Sequence, residues 1–161
     1  MIKKILFVLV VISLFATTCF AKISASRIVL GGLAPGCSLQ YAESVYGPAK
    51  KVYIKRVSKA QPEFYYVFGE SFYCSPTFEE IYIDAQNGVK TADGITVGSP
   101  ANNVLLTYGN PDNTIYGDNL FYDHILTYDA YENTDKPPYL VLEFYIKDNV
   151  VRKVSVFRFH H

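Results

Sequence analysis

Hydrophobic and polar residues alternate along several short stretches of this chain, which is typical of β-strands with one buried and one wetter face. In residues 139–147 the apolar Leu142, Phe144 and Ile146 alternate with more polar neighbours. Residues 150–159 continue the pattern after a short polar turn, so the two stretches predict an antiparallel hairpin. Aromatic and β-branched residues predict further strands at 51–55, 63–68, 78–83, 119–122 and 125–128.

Two other stretches, residues 36–47 and 98–109, have a helical spacing of apolar positions. Ser38 in the first stretch, and Ser99 followed by Pro100 in the second, are N-cap signals. Each stretch ends in a Tyr-Gly pair, and glycine readily adopts the left-handed conformation that terminates a helix. The sequence therefore predicts two short amphipathic helices. Their predicted apolar stripes are Leu39, Ala42, Val45 and Tyr46, and Ala101, Val104, Leu105 and Tyr108.

The two predicted helices are part of a repeat with a period of 62 residues. Three pairs of positions share this offset: Gly36 and Gly98, Tyr46 and Tyr108, Gly47 and Gly109. With one residue inserted, Tyr82 and Tyr145 also correspond, each between two apolar neighbours. Self-similarity at a fixed period indicates a repeated supersecondary unit.

The repeat predicts a first helix-meander unit at residues 22–92 and a second at residues 93–161. A helix and a sheet each have one apolar surface, and they bury those surfaces against each other. The predicted fold class is therefore α+β. Two tandem helix-plus-antiparallel-meander units form one layered domain, with helices packed on a sheet.

The first 21 residues have the composition of a secretory signal peptide. Two lysines precede an apolar run from Ile5 to Phe15, and cleavage is predicted after Ala21. The run is shorter than the roughly 20 residues of a membrane span, so no transmembrane span is predicted after cleavage. The product is then periplasmic or secreted. A form lipidated at Cys19 is the less favoured alternative, because Thr18 stands where lipoprotein signals have a small residue.

Two cysteines remain after cleavage, Cys37 and Cys74. An even number of cysteines in an exported protein is typical of a disulfide. Their separation of 37 residues would make the bond worth about 4 kcal/mol in the chain-entropy model. We predict a structural Cys37–Cys74 disulfide.

The charge of the chain argues against a nucleic-acid partner. Of 15 basic residues, Lys3 and Lys4 leave with the signal peptide, so 13 remain against 15 acidic residues. A nucleic-acid-binding domain of this size would show a clear basic excess. The basic residues that remain include one cluster: Lys50, Lys51, Lys55, Arg56 and Lys59. That cluster either meets an anionic surface or protects an edge strand from pairing, since lysines on an edge discourage further strand addition.

No catalytic, cofactor-binding or metal-binding residues are predicted. Asp123 and His124 are neighbours on a predicted strand, so their side chains point to opposite faces. His160 and His161 end the chain, and terminal residues are usually frayed. The glycine-rich stretch 31–36 lacks the Lys-Ser/Thr of a phosphate-binding loop. The chain is therefore predicted not to be an enzyme, with an uncharacterised hydrolase kept as an alternative.

The order of motifs resembles a known superfamily. A Gly-x-Ser/Thr signal, a short helix, Tyr-Gly-x-Pro and a meander with a turn such as Asn87-Gly88-Val89 look like SmpA/OmlA (BamE-like) and β-lactamase-inhibitory-protein-like units. The resemblance covers most of residues 27–159, and the inhibitory proteins carry two such units in tandem. It implies a non-enzymatic protein of the cell envelope or secreted fraction that binds another protein through its sheet.

Tyrosine is the most abundant aromatic residue of the chain, which has 14 tyrosines and no tryptophan. A tyrosine side chain anchors an interface at low entropic cost, because only two torsions are fixed. Tyr82 and Tyr145 face away from their apolar neighbours, so we predict them as interface residues. The predicted function is an exported protein-binding module whose partner is another envelope or secreted protein. A structural component of envelope or outer-membrane assembly is the alternative.

Overall fold

The computed structural model of the chain describes residues 22–55, 62–117, 121–131 and 139–159. The predicted signal peptide with Cys19, part of the basic cluster (Arg56 and Lys59) and the terminal His160 and His161 lie outside these ranges. A 3₁₀ turn spans Ala25–Arg27, and the helices are α1 (Leu39–Tyr46) and α2 (Ala101–Tyr108). The strands are β1 (Lys50–Tyr53), β2 (Phe64–Phe68), β3 (Phe72–Cys74), β4 (Glu80–Ile83), β5 (Asn113–Tyr116), β6 (His124–Tyr131), β7 (Tyr139–Lys147) and β8 (Val150–Phe159).

All eight strands belong to one antiparallel sheet with the order β1-β2-β3-β4-β8-β7-β6-β5. Each half of the chain contributes a meander of four consecutive strands. The two meanders meet where β4 pairs with β8, with Ile81 opposite Val156 and Tyr82 opposite Ser155. The outermost strands, β1 and β5, form the two edges of the sheet.

One face of the sheet carries the hydrophobic core, and we call it the core face. Alternation along the strands points every second side chain to this face, as the pleat requires. Fully buried residues of this face in the middle of the sheet include Phe72, Ile81, Ile83, Leu142, Phe144, Val154 and Val156. We call the opposite face the second face.

The predicted α+β layered domain is wrong. The described residues form mainly a single eight-stranded antiparallel sheet, and the helical content is limited to two short helices. Each helix has only eight residues, and Ala42 is the one buried residue of α1. Val45 and Leu105, predicted on the buried stripes, are exposed. A helix of two turns is too short to form a layer over eight strands, and irregular segments supply much of the cover instead.

The first of these segments is a tight turn between two fully buried leucines. Leu30 and Leu33 exchange backbone hydrogen bonds of 3.0 Å in both directions. Gly31 and Gly32 lie between them, and both have positive φ angles of 59° and 78°. A two-residue turn of this kind requires positive φ at both positions, which glycine adopts without strain. The second irregular segment lies between β4 and α2, and it contributes Ile95 and Val97 to the same core.

The two halves follow the same element order, a helix and then four strands. The predicted boundary between residues 92 and 93 lies in the irregular connection between β4 and α2, and the division into two units stays a prediction. Tyr82 and Tyr145 do not occupy equivalent strands, however. Tyr82 lies on β4, the fourth strand of its half, and Tyr145 lies on β7, the third strand of the other half.

Two strands were not predicted, β3 and β5. β3 has only three residues, too few to show a period of two, and β5 begins with the polar residues Asn113 and Thr114, which do not mark a strand by composition. Within the described residues, no helix is both long and apolar enough to cross a membrane.

Candidate binding face

The centre of the second face carries a group of tyrosines with a few charged residues. We call this group the tyrosine face. It consists of Tyr65, Tyr73, Tyr82, Tyr145, Glu80, Glu143 and Lys153, contributed by β2, β3, β4, β7 and β8. Tyr65 is buried, and the other six side chains are half-buried. Tyrosine suits such a surface because its ring packs against neighbours while its hydroxyl reaches polar groups.

The tyrosines of the first half pack closely against one another. The rings of Tyr73 and Tyr82 lie opposite each other on paired strands and stack, with centroids 4.6 Å apart and an interplanar angle of 13°. The ring of Tyr65 meets Tyr82 edge-on at 5.4 Å. These contacts fix the orientation of the rings.

Lys153 brings the two predicted interface residues together. It lies on β8 opposite Tyr145 on β7. Its ammonium nitrogen is 4.1 Å from the ring centroid of Tyr82 and 5.0 Å from that of Tyr145. A lysine over the face of an aromatic ring is attracted by the negative charge of the π-system. Tyr82 and Tyr145 therefore flank one shared cation at the junction of the two halves.

Two glutamates complete the tyrosine face, and each accepts a hydrogen bond from a tyrosine. The Tyr65 hydroxyl donates to Oε2 of Glu80 at 3.0 Å, and the Tyr145 hydroxyl donates to Oε2 of Glu143 at 2.9 Å. Burial raises the pKa of Glu143, and the hydrogen bond from Tyr145 and the charge of Lys153 oppose that rise. Negative charge thus lies close to Lys153 on a partly desolvated surface.

Burial also acts on the tyrosine hydroxyls of this face. Burial raises the pKa of Tyr65, Tyr82 and Tyr145 above the ordinary value of 10.0, so their hydroxyls stay protonated at neutral pH. The hydroxyls of Tyr65 and Tyr145 donate to carboxylates, and a protonated hydroxyl bound in this way is a poor base and a poor nucleophile. Among the described residues, no group of three or more His, Cys, Asp and Glu side chains is placed to hold a metal ion.

Asp123 and His124 each contact a different group. The Asp123 carboxylate accepts hydrogen bonds from Lys147 Nζ at 2.7 Å and from the backbone N–H of Asp148 at 2.9 Å. These bonds lower the pKa of Asp123, with the lysine bond as the main cause. The aspartate thereby anchors the turn of the β7–β8 hairpin, and the His124 ring lies 6.2 Å from that of Tyr116.

The predicted disulfide is absent from the structure, in which Cys37 and Cys74 are both free thiols. Cys74 is fully buried on β3, whereas Cys37 is half-buried just before α1. Burial raises the pKa of both thiols, and nearby Cys37 contributes to the rise at Cys74. The bond in the exported protein stays a prediction.

Of the basic cluster, the structure describes Lys50, Lys51 and Lys55. Lys50 and Lys51 lie on the edge strand β1, and all four residues of that strand are exposed. Lys51 Nζ lies 5.0 Å from the ring centroid of Phe64 on the neighbouring strand. The cluster therefore marks one edge of the sheet.

Sequence reasoning missed Tyr65, Tyr73 and Lys153 as members of the tyrosine face. Tyr65 lies on a strand with three aromatic residues in a row, and composition alone does not reveal which of them faces the core. Lys153 shows a usable signal, because it is a charged residue within the otherwise mainly apolar alternation of residues 150–157. Its proximity to Tyr82 depends on the β4–β8 pairing, which no local pattern encodes.

Comparison with known proteins yields no relative. No protein-family model, no curated protein and no solved structure matches this chain.

Proposed function

We propose that this chain is an exported, non-enzymatic protein-binding module of the cell envelope or the secreted fraction, and that the tyrosine face holds its partner. The observation that carries the proposal is the placement of Tyr82 and Tyr145 on either side of Lys153, at the centre of the second face. Tyrosine is enriched in protein interfaces, where its ring packs and its hydroxyl finds polar partners. The resemblance to BamE-like and β-lactamase-inhibitory-protein-like units supports the same class of function.

The packing of the tyrosines supports tight recognition. A flexible side chain loses about 0.5–1.5 kcal/mol of entropy when an interface immobilises it. The stacked pair of Tyr73 and Tyr82 has already lost most of that freedom in the free protein. A partner that covers the tyrosine face would therefore gain buried ring area at a reduced entropic cost.

Alanine substitution of the two central tyrosines tests this proposal. The full chain, purified from a host that exports it, serves as bait for crosslinking capture from the native envelope and secreted fractions. Once a partner is identified, Tyr82→Ala and Tyr145→Ala should each weaken binding by about 1 kcal/mol or more, roughly fivefold in Kd, in isothermal titration calorimetry.

Two exposed tyrosines outside the tyrosine face provide controls. Tyr53 lies on edge strand β1 and Tyr116 lies on edge strand β5. Tyr53→Ala and Tyr116→Ala should leave the affinity unchanged if the tyrosine face is the binding surface. Unchanged affinity in the Tyr82 and Tyr145 variants, together with a lowered melting temperature, would show that these rings only stabilise the fold.

A further inference from the structure

The two edges of the sheet differ in their chemistry. The edge strand β1 carries Lys50 and Lys51, and lysines on an edge disfavour the addition of another strand. The other edge strand, β5, has the sequence Asn-Thr-Ile-Tyr and contains no charged residue. Ile115 and Tyr116 on this strand are 44% and 82% exposed. β5 therefore lacks the charge protection that β1 has.

The hydrogen bonding of β5 shows which of its backbone groups point outward. The N–H of Gly117 donates to the carbonyl of Asp123 at 2.8 Å, just beyond the last paired residues of β5 and β6. In an antiparallel ladder, hydrogen-bonded pairs alternate along the strand. Asn113 and Ile115 consequently share the direction of Gly117 and bond to β6, whereas Thr114 and Tyr116 direct their N–H and C=O groups away from the sheet.

The acidic residue before β5 is turned back onto its own chain. The Asp112 carboxylate accepts a hydrogen bond from the backbone N–H of Asp129 at 2.8 Å. Its charge is therefore engaged with β6 rather than directed along the free edge of β5.

We propose that a second copy of this chain pairs with β5, so that the two β5 strands run antiparallel about a twofold axis through Ile115. In this register, Thr114 of each copy exchanges two backbone hydrogen bonds with Tyr116 of the other, and the two Ile115 side chains face each other. The outward-pointing pair is spaced symmetrically about Ile115, so the edge is complementary to itself, as a twofold interface requires.

The charges of the two edges favour a closed pair of chains over an open series. The paired residues of β5 bring no like charges together, because the strand contains no charged residue, and the like-charged positions that face each other in this register, Asp112 and Asp118 of the other copy, lie beyond the paired residues. The joined sheet would have sixteen strands, and both of its outer edges would be β1 with its lysines. Those lysines disfavour further growth. A short edge of four residues predicts a weak dimer, with a Kd on the order of micromolar.

The experiment is sedimentation of the full chain, purified after export and processing by its host, from about 1 to 500 μM, a range that brackets a micromolar Kd. Wild type should shift from monomer to dimer as the concentration rises. Ile115→Lys places two like charges opposite each other and should raise the dimer Kd at least tenfold. Thr114→Pro removes an outward N–H that bonds to none of the described strands, so it should weaken the dimer similarly.

Val52→Lys on β1 is the matched control, because Val52 is 43% exposed on the opposite edge. This variant should dimerise like wild type, and far-UV circular dichroism melts should show that all three variants stay folded. A wild type that stays monomeric throughout the range overturns the proposal. So does a dimer that survives Ile115→Lys, or a larger assembly that Val52→Lys disrupts, since the latter would mean pairing of β1 with β5.

Discussion

Lys153 shows how a single polar position can organise one face of a sheet. The residues before and after it in the sequence are not part of the tyrosine face. The ammonium group of Lys153, by contrast, lies over the rings of Tyr82 and Tyr145. The charge of Lys153 also counteracts the rise in the Glu143 pKa. The second face thus combines a cation, aromatic rings and carboxylates that compensate one another, and this mutual compensation makes half-burial of the charged groups tolerable.

Glu143 predicts a pH dependence of stability. Burial raises its pKa in the folded protein above the ordinary value of 4.5. Its contribution to stability is therefore fully present below that value and is lost as the pH rises through the folded-state pKa. Glu143→Gln keeps an acceptor for the Tyr145 hydroxyl but carries no charge. We expect it to raise the free energy of unfolding in urea at pH 7, and we expect the gain to vanish near pH 4.

Glu70→Gln is the matching control for this measurement, because Glu70 is exposed in the turn between β2 and β3. It should leave stability nearly unchanged at both pH values. A gain in Glu143→Gln that is equally large at pH 4 and pH 7 would contradict desolvation as the cause.

At the scale of elements, the helices begin and end close to where the sequence predicts. The predicted cap at Ser38 is present, since its Oγ accepts a hydrogen bond from the backbone N–H of Tyr41 at 3.1 Å. The second predicted cap is wrong. Pro100 occupies the N-cap position of α2 without a side-chain bond, and the Ser99 hydroxyl accepts from the N–H of Thr96 instead. Serine before proline signals the end of a turn as readily as the start of a helix.

The cap of α1 can be tested by substitution. Ser38→Ala removes the acceptor for the Tyr41 N–H and should lower the free energy of unfolding by about 1 kcal/mol in urea denaturation. Ser44→Ala provides a control in the same helix, because Ser44 is exposed and its hydroxyl only bonds back to the carbonyl of Tyr41. Ser44→Ala should be neutral or slightly stabilising, since alanine is the better helix former. Equal losses in both variants would argue against a capping role.

Local patterns predicted the elements better than they predicted the layers. Alternation in β4 and β7 gave the correct direction for the core residues Ile81 and Phe144, because a strand has only two faces. The helical spacing of apolar residues in α1 predicts more burial than the structure shows. Val45 belongs to the predicted apolar stripe and is nevertheless exposed. Burial of the apolar face of a helix depends on which other segments of the protein pack against it, and the sequence of the helix does not specify those segments.

At the scale of the whole molecule, the position of Cys74 bears on when the predicted disulfide forms. Cys74 is fully buried, and burial raises its pKa, so little thiolate is present in the folded protein. We expect the Cys37–Cys74 bond to form before folding is complete. Mass spectrometry of the exported protein without reductant should show the loss of two hydrogens on the linked peptides. Oxidised glutathione should form the bond slowly in folded, reduced protein and rapidly in urea.

A Cys37→Ser variant is the control for this measurement, because it cannot lose the two hydrogens. Exported protein with two free thiols would contradict the predicted bond. If the bond is present, its reduction should lower the free energy of unfolding by about 4 kcal/mol, as expected for a loop of 37 residues.

The order of the strands was beyond the reach of sequence reasoning. β4 and β8 lie about seventy residues apart in the chain, and their pairing creates both the continuous sheet and the neighbourhood of Lys153. Each strand has a pattern that would suit several partners. The choice among them is made by the packing of the whole core, in which Ile81 meets Val156 and Ile83 meets Val154.

The pairing of β4 with β8 also has a consequence for biosynthesis. A ribosome delivers the chain from its N-terminus, so β4 is complete long before β8, the last of the described strands, can reach it. Until β8 pairs with β4, the strands delivered earlier can join only into two separate sheets, with four free edges in place of two, and unpaired edges invite aggregation. A chain truncated before Val150 would remain in that state permanently. Chaperones and proteases should therefore recognise chains truncated by nonsense mutations far more readily than chains with most missense substitutions in the same region.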